Sequence, residues 1–318
     1  MSTGTQVGKS APRARYFLLL ALACLMFAGQ GTAIKFLNRQ LGPIQLTFLP
    51  FCTATILLLP LLLRGRSGDH GPRRLDWADW RAFIAAGVGG QVVAQFCIVA
   101  GITRSLASNA AILGLLLPVI STILAAVMLG ERITRMRVLA LTIGLVGVLF
   151  LSAGDLRESS FLKPRYLAGN VLIVAALFGS AFYNVYCKGL FRRFPQREVL
   201  VFSYLAASAA SLPLLIWVDP VRLGVFREFT WQSWVAFAYQ AVIAYGMAML
   251  LFFHALDNLD ATVASLSLYM LPVFGVVLAA LFLHERLSAL ALAGSAIVLL
   301  STLLIVKFDQ PKIADGPL

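Results

Sequence analysis

The chain has 318 residues, of which 60% are hydrophobic and only 13% are charged, and its mean hydropathy is +0.86. Soluble globular proteins carry about 25% charged residues, so this chain has too little charge to cover a water-exposed surface. The net charge of +12 does not indicate a nucleic-acid partner, because basic residues in the loops of membrane proteins set topology. Composition therefore predicts an integral membrane protein whose surroundings are lipid, with no nucleic acid bound.

Apolar runs of about 20 residues have the length that an α-helix needs to cross a bilayer. The sequence contains ten such runs, separated by short turns such as Asp219-Pro220. We predict an all-α protein with spans at residues 16–37, 44–63, 81–103, 107–128, 137–153, 167–187, 199–217, 232–253, 261–283 and 288–306. The first run follows three basic residues, as in a signal peptide, but it continues without a clear cleavage site. We therefore interpret it as an uncleaved span.

Two stretches of the chain are related at a constant offset of 154 residues. Residues 107–132 and 261–286 are identical at eleven of 26 positions without a gap. The identities include Pro118 and Pro272, Glu131 and Glu285, and Arg132 and Arg286. The pattern predicts two related halves.

Five spans in each half have a geometric consequence, because an odd number makes the second half enter the membrane from the opposite side. The sequence thus predicts an inverted-topology repeat, which is typical of transporters. Placing the N-terminus in the cytoplasm puts 17 of the 26 Lys and Arg residues on that side, which favours two cytoplasmic termini. The predicted organisation is an N-terminal tail (1–15), a first repeat (16–153), an outer linker (154–166), a second repeat (167–306) and a C-terminal tail (307–318).

These motifs resemble a known family. Spans with a central proline that end in Gly130-Glu131-Arg132 or His284-Glu285-Arg286, and a first span with Phe27-Ala28-Gly29-Gln30 through Ile34-Lys35, are similar to the EamA type of the drug/metabolite transporter superfamily. The chain departs from that family at Phe27-Ala28, where many members carry Trp-Gly, and at Phe51, near a common arginine. The resemblance implies a ten-helix carrier of the bacterial inner membrane, usually an exporter of amino acids, related metabolites or drugs, and the exporters of aromatic and apolar amino acids are the most similar.

Uncharged polar and aromatic residues inside the predicted spans are the candidates for a substrate cavity. Gly87, Gln91 and Gln95 share one helix face, and the offset of 154 relates Gln91 to Tyr245. The full set of candidate cavity residues is Gln30, Gln91, Gln95, Asn109, Tyr183, Asn184, Tyr245 and Tyr269. The alternative is that these residues hold helices together, and for Asn109 that it caps a helix.

Prolines in the two related spans are candidates for kinks. Pro118 and Pro272 each remove one backbone hydrogen bond and free the carbonyls of Gly114 and Leu268. A freed carbonyl could accept a substrate ammonium, and the kink could act as a hinge. The alternative is a static kink relieved by packing.

The ionisable residues disfavour proton coupling through a buried carboxylate. All 14 Asp and Glu residues fall outside the predicted spans or at their ends, whereas proton relays place acidic groups within the membrane. Coupling through His254, or through water and substrate charge, stays open. The four cysteines show no metal-binding or disulfide pattern, and no cofactor or metal is expected.

The sequence thus predicts an alternating-access exporter of amino acids and related small molecules, and not an enzyme, since no catalytic motif is present. The alternatives are a multidrug or other metabolite carrier, a lipid flippase of the same fold, and a membrane enzyme that transports nothing. Small residues on the fifth and tenth spans, including Gly144 and Ser295, also permit close packing or a weak homodimer instead of a monomer.

Overall fold

The computed structural model describes residues 10–38, 40–64, 75–105, 107–151, 164–220, 223–283 and 289–308. Regular structure in these ranges is entirely helical, without a strand. Seven helices are long and apolar enough to cross a membrane: Ala14–Ile34, Pro43–Leu62, Trp77–Ile102, Ile112–Leu129, Pro164–Leu190, Gln196–Val218 and Trp231–Asn258. Shorter apolar helices cover Ala261–Gly275 and Leu292–Phe308. The prediction of a helical, multi-pass membrane protein is confirmed.

The helices of the first half are labelled α1 to α5. Helix α1 comprises Ser10–Ala28 and Gln30–Leu37, α2 comprises Pro43–Leu58 and Pro60–Arg64, and α3 comprises Trp77–Ile84, a π-helical stretch Ala85–Val92 and Val93–Ile102. Helix α4 comprises Ala107–Gly114 and Leu117–Leu129, and α5 is Arg135–Leu151.

The helices of the second half are labelled α6 to α10. Helix α6 is Pro164–Leu190, and α7 comprises Gln196–Pro213 and the π-helical Leu214–Val218. A short 3-10 helix, Leu223–Arg227, precedes α8, which comprises Trp231–Ala238, the π-helical Tyr239–Ala248 and Met249–Asn258. Helix α9 comprises Ala261–Leu266, the 3-10 turn Ser267–Tyr269 and Met270–Leu283, and α10 is Ala289–Phe308.

Helix α3 begins at Trp77, four residues before the predicted start at residue 81. The cause is a capping box, in which the Asp76 carboxylate accepts from the Asp79 amide at 2.7 Å and the Asp79 carboxylate accepts from the Asp76 amide at 3.2 Å. Hydropathy finds only the apolar part of a span, so it misses a first turn that contains carboxylates. Asp79 is only 1% exposed and also pairs with Arg193 at 2.9 Å.

Irregular turns interrupt the helices at matching places in the two halves. The π-helical stretches begin at Ala85 in α3 and at Tyr239 in α8, which are 154 residues apart. Helix α4 is broken after Gly114, and Leu268, again 154 residues later, lies in the 3-10 turn of α9. Pro118 lies in the first turn of the second α4 segment, where its missing amide hydrogen costs no helical bond.

The helices pack as a closed ring in the order α4, α9, α1, α8, α2, α7, α3 and α6, with α6 returning to α4. Helices α5 and α10 form a pair outside this ring, with extensive contact between them. The Ser301 hydroxyl donates to the Ala140 carbonyl at 2.7 Å, while Gly147 lies against Val298, so the two helices run antiparallel. Small residues of α5 are therefore used for packing inside the chain.

The ring has two ends, which are named here by one residue each. At the Glu131 end, α4 and α8 finish, and α9 begins. At the Asp219 end, α7 finishes and α2 begins: the Asp219 carboxylate accepts from the amides of Ile44 and Gln45 at 3.1 and 3.2 Å. Asp219 therefore caps the N-terminus of α2 from the other half of the chain.

Candidate functional site

A polar contact lies where α3, α6 and α7 meet. Tyr183 is 1% exposed, and its hydroxyl is 3.0 Å from the Ser203 hydroxyl. The Gln91 side chain, which belongs to the π-helical stretch of α3, lies close to the same Tyr183 hydroxyl. Two of the predicted cavity residues, Gln91 and Tyr183, are thus brought together.

An aromatic cluster lies beside this contact, between α2, α7 and α8. The ring centroid of Phe51 lies 4.2 Å from the ring centroid of Tyr204 and 5.4 Å from that of Tyr245. The Tyr204 hydroxyl donates to the Tyr245 carbonyl at 3.2 Å, within the π-helical stretch of α8. Tyr245 is half-buried in this aromatic cluster, and Phe51 contributes a tilted contact to Tyr204 and an edge-on contact to Tyr245.

The predicted kinks of α4 and α9 lie against each other. Tyr269 is 2% exposed, and its hydroxyl donates to the Leu115 carbonyl, at the break in α4, with a distance of 3.3 Å. An unpaired backbone carbonyl inside a membrane is costly, and the Tyr269 hydroxyl supplies a partner. Leu268 is buried at 8% exposure, and Pro118 is also buried. Pro272 is half-buried in α9.

Asn109 is fully buried where α4 starts. Its amide donates to the Asn170 side chain at 3.1 Å and to the Ser105 hydroxyl at 3.2 Å, and Ser105 also bonds Asn170. These bonds tie the turn between α3 and α4 to α6.

The other predicted polar residues are placed differently. Gln30 begins the second segment of α1, and Gln95 lies on α3; both are half-buried, whereas Asn184 is buried on α6 at 9% exposure. Amides in a membrane protein need partners, which is why these three residues stay candidates for contact with a polar ligand.

Charged residues gather at the Glu131 end. The Glu131 carboxylate accepts from the Ala261 amide at 2.6 Å, from the Thr262 amide at 3.1 Å and from the Thr262 hydroxyl at 2.9 Å. Gly130 makes this possible, because its φ of 68° is a left-handed conformation that favours glycine and turns the chain at the end of α4. Glu131 therefore caps α9 from another helix.

Arg137 and Lys188 complete this cluster. Arg137 is 4% exposed; its guanidinium lies 3.8 Å from Glu131 and forms an ion pair with Asp260. Lys188 donates to the carbonyls of Leu256, at 2.8 Å, and Leu259 at the end of α8. The sequence did not point to Arg137 as a partner of Glu131. The sequence signal was Asp260 and Thr262 directly before an apolar run, which is typical of a helix start. The matching residues His284, Glu285 and Arg286 lie outside the described residues.

A groove of about 720 Å³ lies between α1, α8 and α9. Its lining is apolar, and Leu25, Phe36, Trp231 and Val235 are exposed there. The Tyr239 hydroxyl donates to the Met26 carbonyl at 2.8 Å on one wall. The predicted cavity residues do not line this groove.

Comparison with known proteins identifies the family. The model of the "EamA-like transporter family" matches residues 14–153 and again residues 167–307. A crystal structure of another protein has the same fold, with a TM-score of 0.78 and 20% identity, covering 93% of this chain and 99% of that one.

Curated relatives carry names of transporters. An "Uncharacterized transporter" of Archaeoglobus fulgidus is 24% identical over 92% of this chain and 98% of its own length. A "Probable terminal-alkyne amino-acid exporter" of Streptantibioticus cattleyicolor is 26% identical over 75% of this chain and 77% of its own. The "Riboflavin transporter ImpX" of Fusobacterium nucleatum is 25% identical over 92% of this chain and 97% of its own length. The chain belongs to the EamA-like transporter family, whose members are membrane transporters and not enzymes.

Proposed function

We propose that the protein is an inner-membrane exporter of amino acids, above all apolar and aromatic ones, and that it works by alternating access. In this proposal ten helices span the membrane as two inverted repeats of five. The Glu131 end faces the cytoplasm, together with both termini, since most basic residues of the connections lie on that side.

The observation that carries the proposal is the packing of each helix against a partner in the other half. The counterpart helices α4 and α9 run antiparallel, because Glu131 at the end of α4 meets Ala261 at the start of α9, and Leu115 meets Tyr269. The pair α5 and α10 is antiparallel as well. Two halves related by an axis in the membrane plane can rock about a shared site and expose it to each side in turn.

The chemistry of the ring suits an amphiphilic substrate. The side chains of Gln30, Gln95 and Asn184 offer amide donors and acceptors for a zwitterion, and the aromatic cluster around Tyr245 offers apolar surface. A carrier named as an amino-acid exporter is among the relatives. No carboxylate lies in the middle of a described span, which favours export that does not depend on a buried proton relay.

Flux into liposomes that contain the purified protein tests this proposal. Labelled leucine, phenylalanine and tryptophan should be transported faster than in protein-free liposomes, both with and without a pH gradient. Absence of flux for every amino acid tested would refute the substrate class, and a strict requirement for the gradient would refute uncoupled export. Riboflavin belongs in the same panel because one relative is named for it, and flux of riboflavin alone would indicate a different metabolite carrier.

A further inference from the structure

The Glu131 end of the ring is held together by bonds between the two halves. Glu131 and Arg137 come from α4 and α5, whereas Asp260 and Thr262 belong to α9 and the turn before it. We call these four residues the latch. Arg137 and Thr262 are 4% and 1% exposed, so most of the latch is shielded from water, and charge-assisted hydrogen bonds are strong in such surroundings.

A second set of contacts closes the Glu131 end. There α6 crosses to α8 and α9, and Lys188 donates to the last carbonyls of α8.

We propose that the latch is the switch that keeps the carrier closed at its cytoplasmic end, and that release of Glu131 from the start of α9 opens that end. This inference rests on the alternating-access function proposed above. It assigns a conformational role to the Gly-Glu-Arg ending of α4 and to Arg137, Asp260 and Thr262, which lie outside the candidate substrate site.

The polar nature of the latch explains how it can open. The Asp260 side chain precedes α9 without capping it and instead binds Arg137, so the first amides of α9 depend on Glu131. When the halves separate, water can satisfy the same amides and carboxylates, since opening exchanges protein hydrogen bonds for hydrogen bonds to water. A latch of apolar side chains would expose hydrocarbon to water at each opening.

Native cysteines provide the readout. Cys187 is fully buried on α6, one residue before Lys188, whereas Cys52 lies on α2 near Ser211, away from the latch. Modification of both thiols by N-ethylmaleimide is followed in liposomes by peptide mass spectrometry, without substrate. Glu131→Gln should raise the modification rate of Cys187 roughly 10- to 100-fold relative to Cys52.

Three further variants sharpen the test. Thr262→Val should raise the modification rate of Cys187 by a smaller factor. Thr262→Ser should give the same rate as the wild-type protein, because serine keeps the hydroxyl that donates to Glu131. Glu198→Gln removes a charge in the first turn of α7 at the same end and should leave the rate unchanged.

An equal rise in the modification rates of Cys187 and Cys52 would indicate general loosening of the protein and would overturn the latch. A Cys187 modification rate in Glu131→Gln equal to that in the wild-type protein would overturn it as well. Because the labelling needs no substrate, it separates the latch from the substrate claim. Flux without selective labelling refutes the latch alone, and selective labelling without amino-acid flux refutes the proposed substrate alone.

Discussion

The hydroxyl of Tyr269 donates a hydrogen bond of 3.3 Å to the carbonyl of Leu115, the residue 154 positions earlier in the chain. A second contact at nearly the same separation joins the hydroxyls of Thr55 and Ser208, which are 153 positions apart and 2.8 Å from each other. A residue that contacts its own counterpart must lie near the axis that relates the two halves. Contacts at these separations are expected near the axis of the proposed inverted repeat, between α4 and α9 and between α2 and α7.

Tyr269→Phe should destabilise the protein by about 1 kcal/mol, because it leaves the Leu115 carbonyl without its donor. Thermal unfolding in detergent measures the effect. Tyr186→Phe is the matched control, since the Tyr186 ring stacks on Phe182 at 5.0 Å and its hydroxyl forms no hydrogen bond among the described residues. Equal stability of the two variants would show that the bond from Tyr269 contributes nothing.

Gly144→Ala should destabilise the protein by about 1–3 kcal/mol through overpacking. A Cβ atom at this position of α5 would lie 2.6 Å from the Tyr269 ring and 3.1 Å from the Ser301 hydroxyl. Gly114→Ala is the control, because a Cβ at Gly114 meets no atom within 4 Å, and alanine is the better helix former. A melting temperature for Gly144→Ala at or above that of Gly114→Ala would contradict the close contact.

Asp219→Ala should cost about 1–2 kcal/mol, because it removes the cap of α2. The lost bonds include those to the amides of Ile44 and Gln45 and the 2.8 Å bond to the Gln45 side chain. Asp257→Ala, at an exposed position near the end of α8, should leave the melting temperature nearly unchanged. Similar losses in both variants would mean that charge, and not capping, sets the effect.

Gln91→Ala and Tyr245→Ala should each reduce flux in liposomes several-fold without reducing the amount of inserted protein. Gln91 lies close to the Tyr183 hydroxyl, and Tyr245 forms part of the aromatic cluster with Phe51 and Tyr204. Ile216→Ala, at a position on α7 that is 59% exposed, controls for the loss of side-chain volume. Full activity of both test variants would remove these residues from the substrate path.

Much of the architecture could be predicted from sequence because a bilayer imposes it. Apolar runs have to form helices whose length matches the membrane, and a proline repeated at one spacing indicates two related interruptions. In the structure Pro118 follows the break in α4. The family could also be predicted, because the repeated Glu-Arg ending is a pattern of neighbouring residues that is visible in the sequence.

Interactions between distant residues could not be predicted in the same way. Glu131 accepts a hydrogen bond from Thr262, which lies 131 positions later in the chain. Only the packing of α4 on α9 makes these two residues neighbours. The sequence analysis gave no indication of the π-helical stretches in α3, α7 and α8. Asp79 precedes the predicted start of the third span by two residues, but a local capping box includes it in α3, where it is buried.

The interleaving of the two halves affects how the chain is made. Each contact of the ring, and the pair α5 and α10, joins a helix of the first half to a helix of the second. At about 5–20 residues per second, a ribosome needs roughly 10–30 s to synthesise the second half after the first is complete. During that interval α1 to α5 lack their principal neighbours, and Arg137 lacks the carboxylate of Asp260. Biogenesis of this protein therefore passes through a half-finished state in which the surfaces of the first half that pack on the second are still uncovered.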